Sequence, residues 1–122
     1  MGCMRRMKKD EYLDFCRAIA GAEADQPFDN DFDTFVLRHA LTRKWFGIIM
    51  LHDGRWIVNL KVDPMEGEFL QKAYKGVLPA YHMNKHHWIT VVFGSDVPDE
   101  ELVRLTYNSF SLTDKKKREK RK

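Results

Sequence analysis

The sequence has few of the features that mark secreted or membrane-bound proteins. Its longest apolar runs cover residues 45–51 and 88–93, far short of the roughly 18 apolar residues that a membrane span requires. The first nine residues lack the apolar stretch of a signal peptide. Cys3 and Cys16 form no disulfide framework, and Cys16 lies in an apolar helical pattern typical of a buried, reduced thiol. We therefore expect a soluble cytoplasmic protein with no membrane partner.

Catalytic signatures are also missing. No Gly-x-Ser-x-Gly motif is present, and the seven glycines are scattered singly rather than grouped in a phosphate-binding loop. Cys16 lies on a predicted core face, which disfavours a role as a nucleophile. These absences predict a non-enzymatic protein that uses no cofactor.

Three histidines invite a metal-binding interpretation. His82 lies four and five residues before His86 and His87, and such spacings can place two imidazoles on one helical face. However, Pro79 precedes the group and a predicted strand follows it, so a helix is not expected here. The acidic residues between positions 23 and 33 lack the ligand spacing of a calcium loop and are expected to be solvated. The sequence therefore predicts no metal site.

The sequence contains enough hydrophobic residues to form one core, and its charges are unevenly distributed along the chain. The chain has 122 residues, of which 43% are hydrophobic, and this predicts a single domain. Residues 1–9 carry +4 and residues 114–122 carry +5, which leaves −6 for residues 10–113, since the whole chain carries +3. We predict a basic extension over 1–9, a folded domain over 10–113 and a disordered basic tail over 114–122. Attraction to a polyanion must come from the ends or from a local patch.

Hydrophobic periodicity predicts an α+β domain in which three helices pack on one antiparallel sheet, in the order α-β-β-β-α-β(β)-α. The predicted elements are a helix over 10–20 capped by Asp10, an acidic turn over 22–31, a strand over 32–38, a hairpin over 45–62, a helix capped by Asp63, a strand over 88–93 and a helix from Pro98.

The hairpin is the clearest local signal. Asp53-Gly54 fits a two-residue type I′ turn, which would pair Leu51 with Trp56, and likewise His52 with Arg55, Ile49 with Val58 and Gly47 with Leu60. Alternation along the strands then gives two faces. The presumed core face carries Ile49, Leu51, Trp56, Val58 and Leu60, and the other carries Phe46, Ile48, Met50, Ile57, Asn59 and Lys61.

Residues 59–64 (NLKVDP) and 76–88 (GVLPAYHMNKHHW) resemble the signature segments of the MmcQ/YjbR-like family. The resemblance extends over about residues 7–112. It implies a fold similar to that of secretion chaperones, and the family is commonly described as DNA-binding, with no agreed catalytic residues. This chain departs from the family in its acidic body and basic ends, which argues against sequence-specific reading of DNA.

A candidate binding surface follows from the two signature segments. Amide, cationic and aromatic groups contact phosphates, hydrogen-bond base edges and stack on bases. Each also has a structural alternative: Trp88 as a core residue, Tyr81 as a loop brace and Asn59 as a partner for the backbone. The candidates are Asn59, Lys61, Tyr81, His82, Asn84, Lys85, His87 and Trp88.

Two hypotheses of function remain open from the sequence. The first is a binding protein for DNA or another nucleic acid, which uses the signature surface with help from the basic termini. The alternative is a protein-interaction or chaperone-like module that docks a partner on the apolar hairpin face formed by Phe46, Ile48, Met50 and Ile57.

Overall fold

The structure is a computed structural model that describes residues 6–114. Its elements are α1 (Lys9–Arg17), β1 (Ala22–Asp25), β2 (Phe35–His39), β3 (Trp45–His52), β4 (Arg55–Lys61), α2 (Pro64–Ala73), β5 (Val77–Pro79), β6 (Trp88–Val92) and α3 (Asp99–Thr113). The six strands form one antiparallel sheet in the order β1-β2-β3-β4-β6-β5. The α+β class and the three helices are confirmed, and β5 supplies the optional strand. Within residues 6–114, no helix has the length and apolar character of a membrane span.

The predicted hairpin is confirmed pair by pair. Asp53 and Gly54 both have positive φ, at 58° and 77°, as a type I′ turn requires. Leu51 pairs with Trp56, and every other predicted pair of the register is present. A two-residue turn fixes the register of the two strands that it joins. Asp53 and Gly54 therefore determine which face of the sheet each side chain of the hairpin lies on.

One side of the sheet, termed the helix face, packs against all three helices. Leu60 and Val58 of β4 are fully buried there, as predicted. Trp56 is partly buried against the same core, whereas Leu51 at the end of the hairpin stays 44% exposed, because it lies beyond the helices. The core residues of this side are Tyr12, Leu13, Cys16, Leu37, Phe46, Ile49, Val58, Leu60, Val62, Leu70, Val77, Ile89, Val91, Val97, Leu102 and Leu105.

The opposite side, termed the loop face, is crossed by the eight residues between β5 and β6, residues 80–87. Ile48 and Ile57 on this side are only 6% and 1% exposed, and Ala80 of the connection is fully buried. The apolar hairpin face proposed above as a docking surface is therefore covered by the protein's own chain. This burial weakens the protein-interaction alternative.

Phe46 lies on the helix face, so the predicted assignment of this residue was wrong. The pairing of β2 with β3 shifts between Leu37 and Arg38, where Leu37 faces Gly47 and Arg38 faces Trp45. Phe46 is the extra residue of this bulge. Its ring therefore turns toward the helices and meets Phe110 with the ring centroids 5.0 Å apart.

The first 40 residues also depart from prediction. Helix α1 begins at Lys9, with Lys8 as its N-cap residue and the Glu11 carboxylate accepting from the Lys8 amide at 2.8 Å. Residues 22–25, predicted as a turn, form an edge strand held by Arg38, whose Nε donates to Asp25 at 3.0 Å. Strand β2 begins three residues later than predicted, which leaves Phe32 79% exposed.

The folded body also begins earlier than predicted. The Arg6 guanidinium donates through Nε to the Ser95 carbonyl at 3.1 Å, and the Met7 amide donates to the Asp99 carboxylate at 2.7 Å. Arg6 and Met7 of the predicted basic extension are thus attached to the segment that runs from β6 into α3. Residues 1–5 and 115–122, which carry the rest of the two predicted basic ends, lie outside the described residues.

Candidate functional site

The predicted site residues lie on β4, on the connection between β5 and β6, and at the first residue of β6. The structure does not unite them in one surface. They fall into a buried amide (Asn59), a stack of rings (Tyr81 and His82), a turn (residues 84–87) and a pair of neighbours on adjacent strands, Lys61 and Trp88.

Asn59 is fully buried and its amide is used within the fold. Its Nδ2 donates to the Tyr81 carbonyl at 2.8 Å, and its Oδ1 accepts from the Thr90 hydroxyl. The same hydroxyl oxygen accepts from the Tyr81 amide at 2.9 Å. Since each buried polar group needs such a partner, Asn59 attaches the connection to the sheet. It does not reach a ligand, contrary to the predicted contact.

Tyr81 and His82 form a stack of rings with His52. The Tyr81 ring lies 3.7 Å from the His52 ring and 4.0 Å from the His82 ring, measured between centroids. His82 has a φ of +63°, which is uncommon for a residue with a side chain. The hydrogen bonds of Tyr81 and this stack together fix the connection over the loop face, and only His82 of the three is mostly exposed.

Asn84 organises the turn that leads into β6. Its side-chain Oδ1 accepts from the His86 amide at 2.8 Å and its carbonyl from the Trp88 amide at 3.0 Å. The His87 carbonyl accepts from the Val62 amide at 2.9 Å, which holds the turn against the end of β4. Lys85, His86 and His87 remain exposed on this turn.

The histidines of this turn do not combine with other ligands in the part of the chain described. Within residues 6–114, no group of three or more His, Cys, Asp or Glu side chains is placed to hold a metal ion. His82 is stacked on Tyr81, whereas the His86 amide takes part in the Asn84 turn. The stack gives the His82 ring a structural role, whereas at His86 only the backbone takes part in the turn.

Lys61 and Trp88 line a cleft of about 360 Å³ at the end of β4, termed the tryptophan–lysine cleft. Its other lining residues are Lys44, Trp45, Leu112 and Thr113. The cleft thus joins two indole rings and two ammonium groups between the sheet and the end of α3. Lys44 and Trp45 were not predicted as site residues, although cationic and aromatic side chains are the types that contact phosphates and stack on bases.

The end of α3 is anchored beside this cleft. The Lys61 amide donates to the Ser109 hydroxyl at 2.9 Å, and the hydroxyl donates in turn to the Phe46 carbonyl. Thr113, which lines the cleft, is hydrogen-bonded through its hydroxyl to Nε2 of the buried His39 at 2.8 Å. Asp114 is the last described residue, so the basic segment 115–122 joins the folded body next to the cleft.

His39 carries the main electrostatic feature of this anchor. Its ring is 3% exposed, stacks on Phe110 at 4.1 Å, and lies 3.5 Å from the Asp114 carboxylate. Burial lowers the pKa of His39, and the Asp114 charge opposes that shift. The ring is therefore held in its neutral form at neutral pH, as an uncharged hydrogen-bonding group in the core.

The sequence profile of the YjbR family matches residues 17–112 of the chain. The chain is 34% identical over 103 residues to the uncharacterised protein YyaQ of Bacillus subtilis, an alignment that covers 76% of this chain and 86% of that protein. It is 31% identical over 104 residues to the uncharacterised protein YjbR of Escherichia coli K12, with 85% of each chain covered.

Two solved structures are also similar. A crystal structure of a protein from Pseudomonas syringae has a TM-score of 0.80 and 31% identity, over 88% of this chain and 99% of that one. The Deinococcus radiodurans protein DR2400, with the domain DUF419, has a TM-score of 0.76 and 31% identity, over 91% of this chain and 81% of that one. These matches confirm both the fold and the family resemblance.

Proposed function

The chain belongs to the YjbR family, and we propose that it binds nucleic acid at the tryptophan–lysine cleft. The observation that carries the proposal is the composition of this cleft beside the attachment point of the basic tail. Trp45 and Trp88 supply π-faces, and Lys44 and Lys61 supply positive charge within the same 360 Å³. Bases stack on aromatic side chains whatever their sequence, whereas ammonium groups pair with phosphates.

The shape of the cleft favours a single strand. The bases of a duplex are stacked on one another, whereas an unpaired base can enter a cleft of this size and stack on an indole ring. Lys85 and His87 lie on the turn that leads into Trp88, so they can contact the backbone of a strand that continues past the cleft. The two tryptophans therefore bind the base, and the lysines around them bind the phosphates.

The basic tail adds an attraction that does not depend on sequence. Residues 114–122 carry +5 and include no aromatic residue, so they can neutralise phosphates and release counterions but cannot stack on bases. The attachment of the tail beside the cleft brings this charge to the strand that the cleft holds. The +5 of residues 114–122 offsets most of the net −6 of residues 10–113.

The protein-interaction alternative has no comparable support. Of the apolar residues on which it rested, Phe46 and Ile57 are at most 1% exposed and Ile48 is 6% exposed. Met50, the fourth of them, is partly exposed. A docking surface needs accessible apolar area, so this alternative would require the connection to open over Ile48 and Ile57, and Phe46 on the helix face would stay buried.

The proposal is tested by fluorescence anisotropy at low salt, with a labelled single strand of about 12 nucleotides, a length within the known range of single-strand sites. Trp88→Leu should weaken binding about tenfold, because stacking on one base contributes about 1–3 kcal/mol. Phe69→Leu, which removes an exposed aromatic ring of α2 that does not line the cleft, is the control and should leave the affinity unchanged. Equal losses in the two variants would contradict the assignment to the cleft.

The tail and the cleft are separated by their dependence on salt. Deletion of residues 114–122 should weaken binding about equally for all sequences and reduce the slope of log affinity against log salt concentration, because each lost phosphate contact removes up to about one unit of slope. Lys61→Ala with Lys85→Ala in the truncated protein should abolish the remaining binding. If the truncated protein alone shows no binding, the cleft is not the nucleic-acid site.

A further inference from the structure

A second basic cavity lies at the other end of β4. It has a volume of about 560 Å³ and is lined by residues 6–10, by residues 54–56 around the start of β4, and by residues 93–94 after β6. Trp56 lines this cavity, whereas Lys61 lines the tryptophan–lysine cleft, and the five residue steps from one to the other along β4 correspond to roughly 17 Å. The two sites are therefore separate, and the argument for this cavity does not depend on nucleic-acid binding at the cleft.

The lining of this cavity is strongly positive. Arg6, Lys8, Lys9 and Arg55 line it, and Asp10 is the one carboxylate among the lining residues. The Asp10 carboxylate accepts from the Lys9 ammonium at 2.7 Å, so these two charges offset each other. Three cationic side chains are thus left with no carboxylate of the lining to balance them.

The position of Arg6 is set by the fold. Its Nε donates to the Ser95 carbonyl, which anchors the side chain on the connection between β6 and α3. A guanidinium has five N–H donors, so an arginine held through Nε can still donate through its two terminal nitrogens. A fixed guanidinium of this kind suits the two-point recognition of a phosphate or carboxylate group.

The floor of the cavity is aromatic and its rim is open. Trp56 and Phe93 are both partly buried against the core, and the Phe93 amide donates to the Trp56 carbonyl at 3.1 Å, so the two residues are joined by the sheet. Gly54 and Gly94 both have positive φ, and no heavy atom lies within 4 Å of where a Cβ would stand on either. The backbone of the rim can thus be approached closely.

We infer that this cavity is a binding site for a small phosphate-bearing ligand with a planar ring, of the size of a nucleotide. Its volume lies within the range of about 300–1,000 Å³ that is usual for small-molecule sites. Arg6, Lys8 and Arg55 balance the charge of a phosphate or diphosphate, and Trp56 with Phe93 packs against the ring. The Lys9 ammonium lies 4.3 Å from the centroid of the Trp56 ring, so the ring of the ligand packs against the part of the aromatic floor that Lys9 does not cover.

The test is isothermal titration calorimetry of the full chain with ADP, in a buffer of low ionic strength. Arg55→Gln and Lys8→Gln each remove the charge of an exposed side chain and leave a polar, uncharged one. Each should raise the Kd for ADP at least fivefold, whereas Lys72→Gln, an exposed lysine of α2, should leave it unchanged. Absence of ADP binding, or an unchanged Kd in both cavity variants, would overturn the inference.

Two fragments of the probe test the two halves of the site. Adenosine and pyrophosphate, titrated separately, should each bind more weakly than ADP, because each fills only the aromatic or only the cationic part. Pyrophosphate that binds as tightly as ADP would overturn the role of the aromatic floor. Lys61→Gln should bind ADP like the unaltered protein, and loss of ADP binding in that variant would assign the ligand to the cleft and overturn the cavity.

Discussion

The two faces of the sheet are buried in different ways. Three helices cover the helix face with apolar side chains, so that its burial is shared among many contacts. One eight-residue connection covers the loop face. It is held at Tyr81 by the amide of Asn59 and the hydroxyl of Thr90, and near its end by the hydrogen bond from the Val62 amide to the His87 carbonyl. Apolar packing spread over many residues loses little when one peripheral contact is lost. A cover attached at a few separate contacts is loosened locally when one of them is lost.

The largest expected effect is on the helix face. Leu60→Ala removes a fully buried side chain from the middle of the core and should lower the free energy of unfolding by about 2–5 kcal/mol, from the lost transfer energy and the cavity left behind. Urea unfolding followed by circular dichroism measures this. If Leu60→Ala lowered the free energy of unfolding by less than Asn59→Ala does, the loop face would contribute more to stability than the helix face, contrary to expectation.

A smaller but more localised effect is expected on the loop face. Asn59→Ala leaves the Tyr81 carbonyl and the Thr90 hydroxyl without their buried partner, which should cost about 1–3 kcal/mol. Amide hydrogen exchange over residues 80–87 should accelerate far more than exchange in β3 and β4. Thr90→Val, which removes the other half of the network, should give the same local pattern, and uniform acceleration across the sheet would contradict a separately attached loop.

Because of His39, a polar residue at the margin of the helix face, the free energy of unfolding should depend on pH. Burial lowers the pKa of His39 in the folded protein below its ordinary value of 6.5. Between these two pKa values, His39 is protonated in the unfolded chain and neutral in the folded protein. The stability that the neutral ring supports is fully present above about pH 6.5 and is lost as pH falls through this window. Urea unfolding at about pH 7.5 and about pH 5 should show this decrease, and His39→Gln should show a smaller one. An equal decrease in the variant would assign the effect to other groups.

The smallest expected effect concerns the histidines on the connection that covers the loop face. We predict that zinc or nickel ions in modest excess leave Tm unchanged, because an ion that bound the native state would raise it. Differential scanning fluorimetry measures this directly. A rise of several degrees that disappears in His86→Ala and in His87→Ala would establish a metal site on this turn.

The parts of the fold that followed from local sequence are those that local chemistry determines. Asp53 and Gly54 adopt the positive φ values of a type I′ turn, and this alone sets the pairing of the hairpin. Strand β1 could not be predicted in the same way, since Ala22–Asp25 contains no strong strand former and is a strand only because β2 pairs with it. The bulge at Phe46 likewise depends on β2, a partner remote from the hairpin turn.

In the candidate site, too, some residues could be predicted from local sequence, whereas others depend on the pairing of distant segments. Lys61 and Trp88 were predicted from the signature segments, and they lie side by side because β4 pairs with β6. Trp45 and Lys44 come to the same cleft through the pairing of β3 with β4 and the packing of α3, which no local pattern displays. Asn59 was misassigned because an amide used within the core and an amide free for a ligand have the same appearance in a sequence.

The burial of Cys16 has a consequence for the chemistry of its thiol. Burial raises the pKa of Cys16 to about 12, so that the thiol of the native protein stays protonated near pH 8, and the thiolate is the form that reacts with alkylating reagents. In an unfolded chain the pKa returns to about 8.5 and alkylation becomes fast. Cys3 is first replaced by serine, so that Cys16 is the only thiol left to react. The rate at which iodoacetamide modifies the native protein then reports how often the helix face opens and exposes Cys16.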